Sequence, residues 1–230
     1  MRVGLSFDTD GAQHHAAALG PEEIVQLGLL ADQTVGDRPG RRITHAPPFL
    51  LDLLSPNGKI GALATAALGA PANPVRLLVF DKTPQTNWSV AWHQDRTLAV
   101  RGKGDVPGYG PWSVKDGVQH VAPPVSVLER MATLRVHLDA CGEDNAPLEI
   151  APGSHQRGLV KAQKAAAVAE EIGPIACHAE AGDVWLYRTL ILHMSKPSAT
   201  PARRRVLQAD YAAFNLPGNL EWLGVCAKLS

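Results

Sequence analysis

The feature that most restricts the fold of this chain is Ala91-Trp92-His93-Gln94-Asp95, taken with a second histidine, His193, near the other end. On an extended strand, residues i and i+2 share one side of the pleat, so His-x-Asp presents an imidazole and a carboxylate together. Such a pair can take adjacent positions on one cation. A distant histidine completes a two-histidine, one-carboxylate facial triad, which leaves three positions open on a non-haem Fe(II). His-x-Asp alone is common by chance, and His93 alone reads as an ordinary core or surface histidine. The surroundings decide.

The first ~75 residues read as mostly helical. Gly20-Pro21-Glu22-Glu23 is a helix start, with proline in the first turn and acids where the helix dipole favours them. Pro48 to Leu54 predicts a short buried helix, and Ser55-Pro56 the cap and first turn of another running to Gly69. From Val75 the pattern changes to short β-favouring runs: Val75–Phe80, Ser89–Trp92, Thr97–Arg101, Thr133–Leu138, Pro147–Ala151, Ile175–Ala179, Val184–Tyr187, Leu190–His193 and Arg203–Tyr211. Many short strands with turn signals between them predict a sandwich or barrel. Residues 102–124, rich in glycine and proline, read as a long loop that serves as a lid or as a surface connection pinned by Trp112. Val160–Ile172 predicts an alanine-rich surface helix.

Composition excludes several classes. Lysine plus arginine (22) equals aspartate plus glutamate (22), which argues against nucleic acid or an anionic membrane as the main partner. Cys141, Cys177 and Cys226 are odd in number, widely spaced and without a C-x-x-C, so they read as reduced thiols of a cytoplasmic protein. Met1–Phe7 lacks the apolar core of a signal peptide, and no apolar run reaches membrane-spanning length. A small-molecule partner remains, and the oligomeric state is not specified.

Four features in order resemble the phytanoyl-CoA dioxygenase family of Fe(II)- and 2-oxoglutarate-dependent oxygenases. They are Trp92-His93-Gln94-Asp95; Asn145-Ala146-Pro147-Leu148 running to Pro152-Gly153-Ser154-His155; Gly182-Asp183 before an apolar run ending in His193; and Arg204. Ala146 stands where the family usually has glycine. The resemblance implies a mainly β fold with flanking helices: a double-stranded β-helix, or cupin-like jelly roll, holding the metal between two sheets. It implies a single domain over 1–230, with a helical part at 1–74, a jelly-roll core at 75–213 and a C-terminal tail at 214–230.

By the same resemblance His93, Asp95 and His193 are the catalytic iron ligands, and 2-oxoglutarate and O2 are consumed to give succinate and CO2, with ascorbate a possible aid. The carboxylate of Asp95 favours oxygenation or desaturation over halogenation, since halogenating relatives put a small residue there. Arg204 is implied to bind the distal carboxylate of 2-oxoglutarate with its planar fork of donors. Ser195, on the face of His193, adds a hydroxyl there. Candidates for the metal-side end of the co-substrate are Lys82, Asn87, Thr133 and Arg135. Substrate contacts are assigned to Arg96, Arg135, Tyr109 and Trp112, with Arg101, Lys103, Trp88 and Trp92 as further candidates; surface charge and core packing account for the same residues. Two rival readings stay open: a cupin-type metal enzyme that uses no 2-oxoglutarate, for which a carboxylate clamp at Arg204 and Ser195 has no purpose, and a non-catalytic binding module on the same scaffold.

Overall fold

The computed structural model describes residues 4–36, 38–199 and 202–227; Met1–Val3 of the N-terminal stretch and 228–230 of the tail lie outside them. In chain order the elements are β1 (Ala12–His15), α1 (Pro21–Val35), β2 (Gly40–Arg42), β3 (His45–Ala46), α2 (Pro48–Leu54), α3 (Gly61–Leu68), β4 (Asn73–Lys82), β5 (Val90–His93), β6 (Leu98–Val100), β7 (Trp112–Lys115), β8 (Val118–Val121), α4 (Val125–Leu128), β9 (Met131–His137), β10 (Leu148–Ile150), α5 (Ala165–Ile172), β11 (Ile175–Cys177), β12 (Val184–Arg188), β13 (His193–Ser195), β14 (Arg204–Ala212) and β15 (Cys226–Ala227). The large sheet runs β1-β12-β9-β14-β4-β2 and the small one β11-β10-β13-β5. Apart from β6–β8, the strands from β4 to β14 are divided between the two and the chain crosses repeatedly from one to the other, all pairs antiparallel, which is a jelly roll.

Burial explains which way the large sheet faces. Leu77, Val79, Leu134, Val136, Leu207 and Ala209 form its outer side, and Leu27, Ala31, Leu50, Leu54, Ile60 and Ala64 of the N-terminal segment cover them in one core. Alternation then turns Arg76, Leu78, Phe80, Thr133, Arg135, His137, Arg204, Gln208 and Asp210 to the inner side. The apolar side is closed by helices, and the polar side faces the small sheet.

Local chemistry sets the helices. α1 starts at Pro21, and the Glu23 carboxylate accepts the Gly20 amide at 2.7 Å. α3 begins at Gly61, later than the Ser55-Pro56 cap predicts, because Ser55 is extended and closes α2, with its hydroxyl donating to the Asp52 carbonyl at 2.9 Å. Gly69 ends α3 with φ of 70°, the left-handed position that glycine takes at least cost.

Four further elements differ from the sequence reading. Residues 1–74 also supply β1, at one edge of the large sheet, and β2, at the other. Within residues 102–124, β7 and β8 form a hairpin that joins β6 in a sheet of its own, with Trp112 packed in a cluster with Leu98, Val100 and Val121. Leu190–Leu192 is a buried turn, and His193 starts its strand instead of ending it; the Ser154 hydroxyl accepts the Leu192 amide at 2.8 Å. α5 is the expected surface helix but starts at Ala165 and not at Val160, and its Ala165 and Ala169 pack on Ala151, Leu192 and Trp92.

His137 sits fully buried with no hydrogen-bond partner on either ring nitrogen among the described residues. Burial, reinforced by Arg135 and Arg204, pushes it down to about 3 from the ordinary 6.5. The unfolded chain therefore takes up a proton that the folded one refuses, and stability falls as pH drops through that window. Replacing His137 with Leu removes that proton: thermal unfolding followed from pH 7 to 4 should show a shallower loss of Tm than wild type, and equal slopes would mean that the ring is not buried neutral.

Candidate metal centre

His93 closes β5 and His193 opens β13, and the two face each other as register partners across the small sheet. Their ring centroids lie 4.2 Å apart. Asp95 follows two residues beyond, just past the strand end. One ligand atom from each of His93, Asp95 and His193 lies within 4.8 Å of the others, a spread that one cation can bridge.

The hydrogen bonds fit the three to a metal. His93 Nδ1 bonds the Ala91 carbonyl at 2.8 Å and His193 Nδ1 the Ile191 carbonyl at 3.0 Å. A carbonyl only accepts, so each Nδ1 carries the proton and each Nε2 keeps its lone pair for a ligand bond. Burial, with His93 alongside, pushes His193 down to about 4, so that imidazole is neutral in ordinary conditions. For Asp95, burial alone would raise the pKa; Arg76 and the two histidines outweigh it and hold the carboxyl down at about 2. His193 and Asp95 are thus held in the forms that bind a cation.

Two residues that the sequence reading passed over fix this set. Arg76 donates from Nη2 to Asp95 at 2.9 Å and from Nε to Asp210, which also accepts the Thr133 hydroxyl at 3.1 Å. A charge within the apolar run Val75–Phe80 was the available signal. Gln94, between the ligands, is buried and faces the other way; its amide donates to Gly158 and Leu190 carbonyls, both at 2.8 Å, and its oxygen accepts the Val160 amide at 2.9 Å. Three bonds clamp the His-x-Asp backbone.

Beside the triad lies a cavity of about 190 Å³, lined by residues of both sheets. Arg204, Ser195 and Arg135 all reach it, as do Phe80, Trp88, Leu78, Val90, Leu148, Met194 and Gln208. Arg204 is buried, and its Nη1 donates to the Ala146 carbonyl. Its neighbours on the Arg-Arg-Arg run turn away as alternation requires, Arg203 to Asp81 and Arg205 to Asp139. Arg135 donates from Nη1 to the Gln208 side chain at 2.8 Å.

Other candidates do not line the cavity. Lys82 is fully buried with its ammonium donating to the Trp88 and Lys196 carbonyls at 2.8 and 2.9 Å, and burial, with Arg204 beside it, lowers it to about 8. Asn87 exchanges both amide bonds with the Ser198 backbone. Thr133 faces inward, but its hydroxyl is engaged by Asp210 and Thr189. Arg96 donates to the Val160 carbonyl, and Tyr109 and Trp112 belong to the cluster under the β6–β8 sheet. None of these six lines the cavity. Strand alternation tells which face a residue takes, and hydrogen-bond partners decide whether its polar end stays free. Trp92 packs with α5, while Arg101 turns to Glu221 and the Trp222 carbonyl.

The family model described as phytanoyl-CoA dioxygenase matches residues 30–206. No curated protein sequence matches the chain. Among solved structures, EctD from S. alaskensis with bound Fe is similar at 19% identity and a TM-score of 0.65, over 90% of this chain and 74% of that one. SnoK, described as a non-heme alpha ketoglutarate dependent carbocyclase from nogalamycin biosynthesis, shares 16% identity at a TM-score of 0.65, over 89% of this chain and 80% of that one. HygX from Streptomyces hygroscopicus, with nickel, 2-oxoglutarate and hygromycin B bound, shares 16% identity at a TM-score of 0.62, over 91% of this chain and 86% of that one. At these identities the structures establish a shared fold.

The contact between Arg76 and Asp95 has a measurable consequence. Arg76→Met should leave the three ligands in place but weaken Fe(II) or Mn(II) binding about 10–100-fold, the usual loss for removing a group that orients a metal ligand. Calorimetric titration with Mn(II) measures it, and affinity equal to wild type would show that Arg76 serves the sheet alone.

Proposed function

The chain belongs to the phytanoyl-CoA dioxygenase family, and on that premise we propose that it is a non-haem Fe(II)- and 2-oxoglutarate-dependent dioxygenase acting on an unactivated C–H bond of a small molecule. The observation that carries this reading is the convergence of His93, Asp95 and His193 on one point beside a cavity that also holds Arg204 and Ser195. Bound there, Fe(II) and 2-oxoglutarate would supply the oxidising power, with O2 consumed and succinate and CO2 released.

The protein's own part is positional. His93 and His193 offer fixed Nε2 lone pairs, and Asp95 offers a carboxylate that Arg76 keeps ionised. Arg204, aimed into the cavity from the start of β14, suits the distal carboxylate of the co-substrate, with the Ser195 hydroxyl as a second donor. The cupin-type alternative gives those two residues no task. The apolar part of the cavity wall, with Leu78, Phe80, Trp88, Val90 and Met194, suits a hydrocarbon portion of a substrate. It also keeps bulk water from the reacting atoms. Because Asp95 fills the third ligand position, hydroxylation or desaturation is favoured over halogenation. The known partners of similar structures, such as hygromycin B in HygX, are small molecules, and no helix among the described residues is long and apolar enough to cross a membrane.

Incubation with Fe(II), ascorbate and 2-oxoglutarate, without any primary substrate, should release succinate slowly. His193→Ala should abolish that release. Arg204→Ala should raise the 2-oxoglutarate concentration required, by an amount equivalent to about 2–5 kcal/mol for breaking a buried charged pair. Succinate release at wild-type rate in both variants would defeat the assignment.

A further inference from the structure

α1 covers the outer side of the large sheet, and its own outer face is left uncovered by the described residues. Leu27, Gly28, Ala31 and Val35 turn inward, as a 3.6-residue period requires. Glu22, Val25, Gln26, Leu29 and Gln33 are exposed on the other face. Val25 is 61% exposed and Leu29 58%, one turn apart, where a surface helix ordinarily carries polar residues. Beside them, Leu29 and Leu30 line one wall of a groove whose other wall holds Ile43, Pro47 and Phe49. A single exposed leucine is ordinary, but an apolar pair at i and i+4 on the lip of such a groove marks a contact surface.

The two ends of that face carry opposite charges. Glu22 stands exposed in the first turn of α1 and makes no ion pair among the described residues. Arg41, exposed on β2, donates to the Thr34 carbonyl at 3.3 Å, which places its guanidinium at the last turn of α1. It too has no carboxylate partner among the described residues. The nearby acids are already engaged, Glu23 with Lys59 and Asp32 with Arg203 and Arg205. An acid at one end, a base at the other and an apolar centre make a face complementary to itself when turned end for end. Measured from the midpoint of Val25 and Leu29, Glu22 lies about 7.5 Å along the axis one way and Thr34 about 10.5 Å the other, at 1.5 Å per residue. An arginine side chain spans that difference. The balance of 22 basic and 22 acidic residues leaves no net repulsion between two copies. An unrelated partner would give no reason for opposite charges at matching distances from the centre.

We propose that this face is a homodimer interface: α1 packs antiparallel on α1 of a second copy of this chain, Val25 and Leu29 meet the partner's groove, and Glu22 pairs with the partner's Arg41 on both sides of the twofold axis. α1 lies on the outer side of the large sheet and the metal centre on the inner side, so the contact is made away from both cavities. The interface is independent of the co-substrate reading given above.

Sedimentation velocity on the whole chain across a dilution series tests it. Wild type should sediment at the mass of two chains and dissociate on dilution. Leu29→Glu should weaken that dimer by about 10-fold or more, since it puts an unpaired charge at the centre of the contact. The side chain is exposed in the single copy, so circular dichroism should show an unchanged fold. Glu22→Arg and Arg41→Glu should each weaken the dimer as well, because each sets like charges opposite one another. Mixed in equal amounts, those two variants should associate at close to wild-type strength, since each supplies the charge that the other's rim requires. A role for Arg41 confined to the end of α1 would give no such rescue. Wild type that stays monomeric at every concentration, a dimer untouched by Leu29→Glu, or a mixture no stronger than either variant alone would each overturn the proposal.

Discussion

The contact on which the site depends is Arg76 between Asp95 and Asp210. It joins the large sheet, through the register pair of β4 and β14, to the ligand that follows the last residue of β5 in the small sheet. Burial alone would weaken the charge on Arg76, and the two carboxylates more than reverse that, pushing its pKa up. The effect on the partners is unequal. Asp95 is held ionised, whereas Asp210, buried beside a second acid, is pushed up despite the same arginine. The one guanidinium therefore favours ionisation of the carboxylate that would meet the cation more than that of Asp210, which accepts from Thr133 and steadies the arrangement from behind. Removing any member would leave a buried charge without its counterpart, which costs far more than the network as a whole contributes.

The jelly roll makes room for this by reversing the usual polarity of a half-buried sheet. Antiparallel sheets commonly pack one side and wet the other. Here α1 to α3 cover the side that carries Leu77, Val79, Leu134 and Val136, and the opposite side, facing the small sheet, carries arginine, glutamine, histidine and aspartate. The small sheet contributes the two histidines as direct cross-strand neighbours, so a separation of a hundred positions in the chain becomes 4.2 Å between ring centroids. Gln94 and Ser154 then tie the ligand-bearing segments to the turns at 158–160 and 190–192. The two histidines stand on strands and Asp95 just past one, with the segment ends fixed by side-chain bonds to backbone, which favours precise geometry over adaptability.

Much of this was legible in the sequence because it depends on spacing. The i, i+2 rule placed His93 and Asp95 together, the short strand runs predicted a mainly β fold, and alternation separated Arg204 from Arg203 and Arg205. What escaped depends on partners that spacing does not reveal. The glycine and proline between 102 and 117 hid a hairpin, because β7 pairs with β8, and β8 with β6, and only then is Trp112 packed in its cluster. Leu190–Leu192 resembles a strand by composition, yet its amides go to Arg188 and Ser154 in a turn. Lys82, Asn87 and Thr133 share the right neighbourhood, but their donors are taken by backbone carbonyls and by Asp210. Arg76 was hidden by its apolar flanks, although a lone cation in such a strand is itself a sign of a buried counter-charge.

The remaining asymmetry is energetic. A cavity with one compensated guanidinium and two uncompensated ones is less stable than it would be with apolar residues in their places, since a buried cation that meets only neutral acceptors recovers a fraction of its hydration. His137, without a hydrogen-bond partner among the described residues and held neutral nearby, adds to the same penalty. Such penalties cluster where a fold keeps a site ready for a charged ligand. An anion bound in the cavity would relieve part of that penalty, and whatever it relieves appears as ligand affinity and, through linkage, as added stability of the loaded protein. The polar face that makes this chain a poor solution for packing is what suits it to a charged ligand.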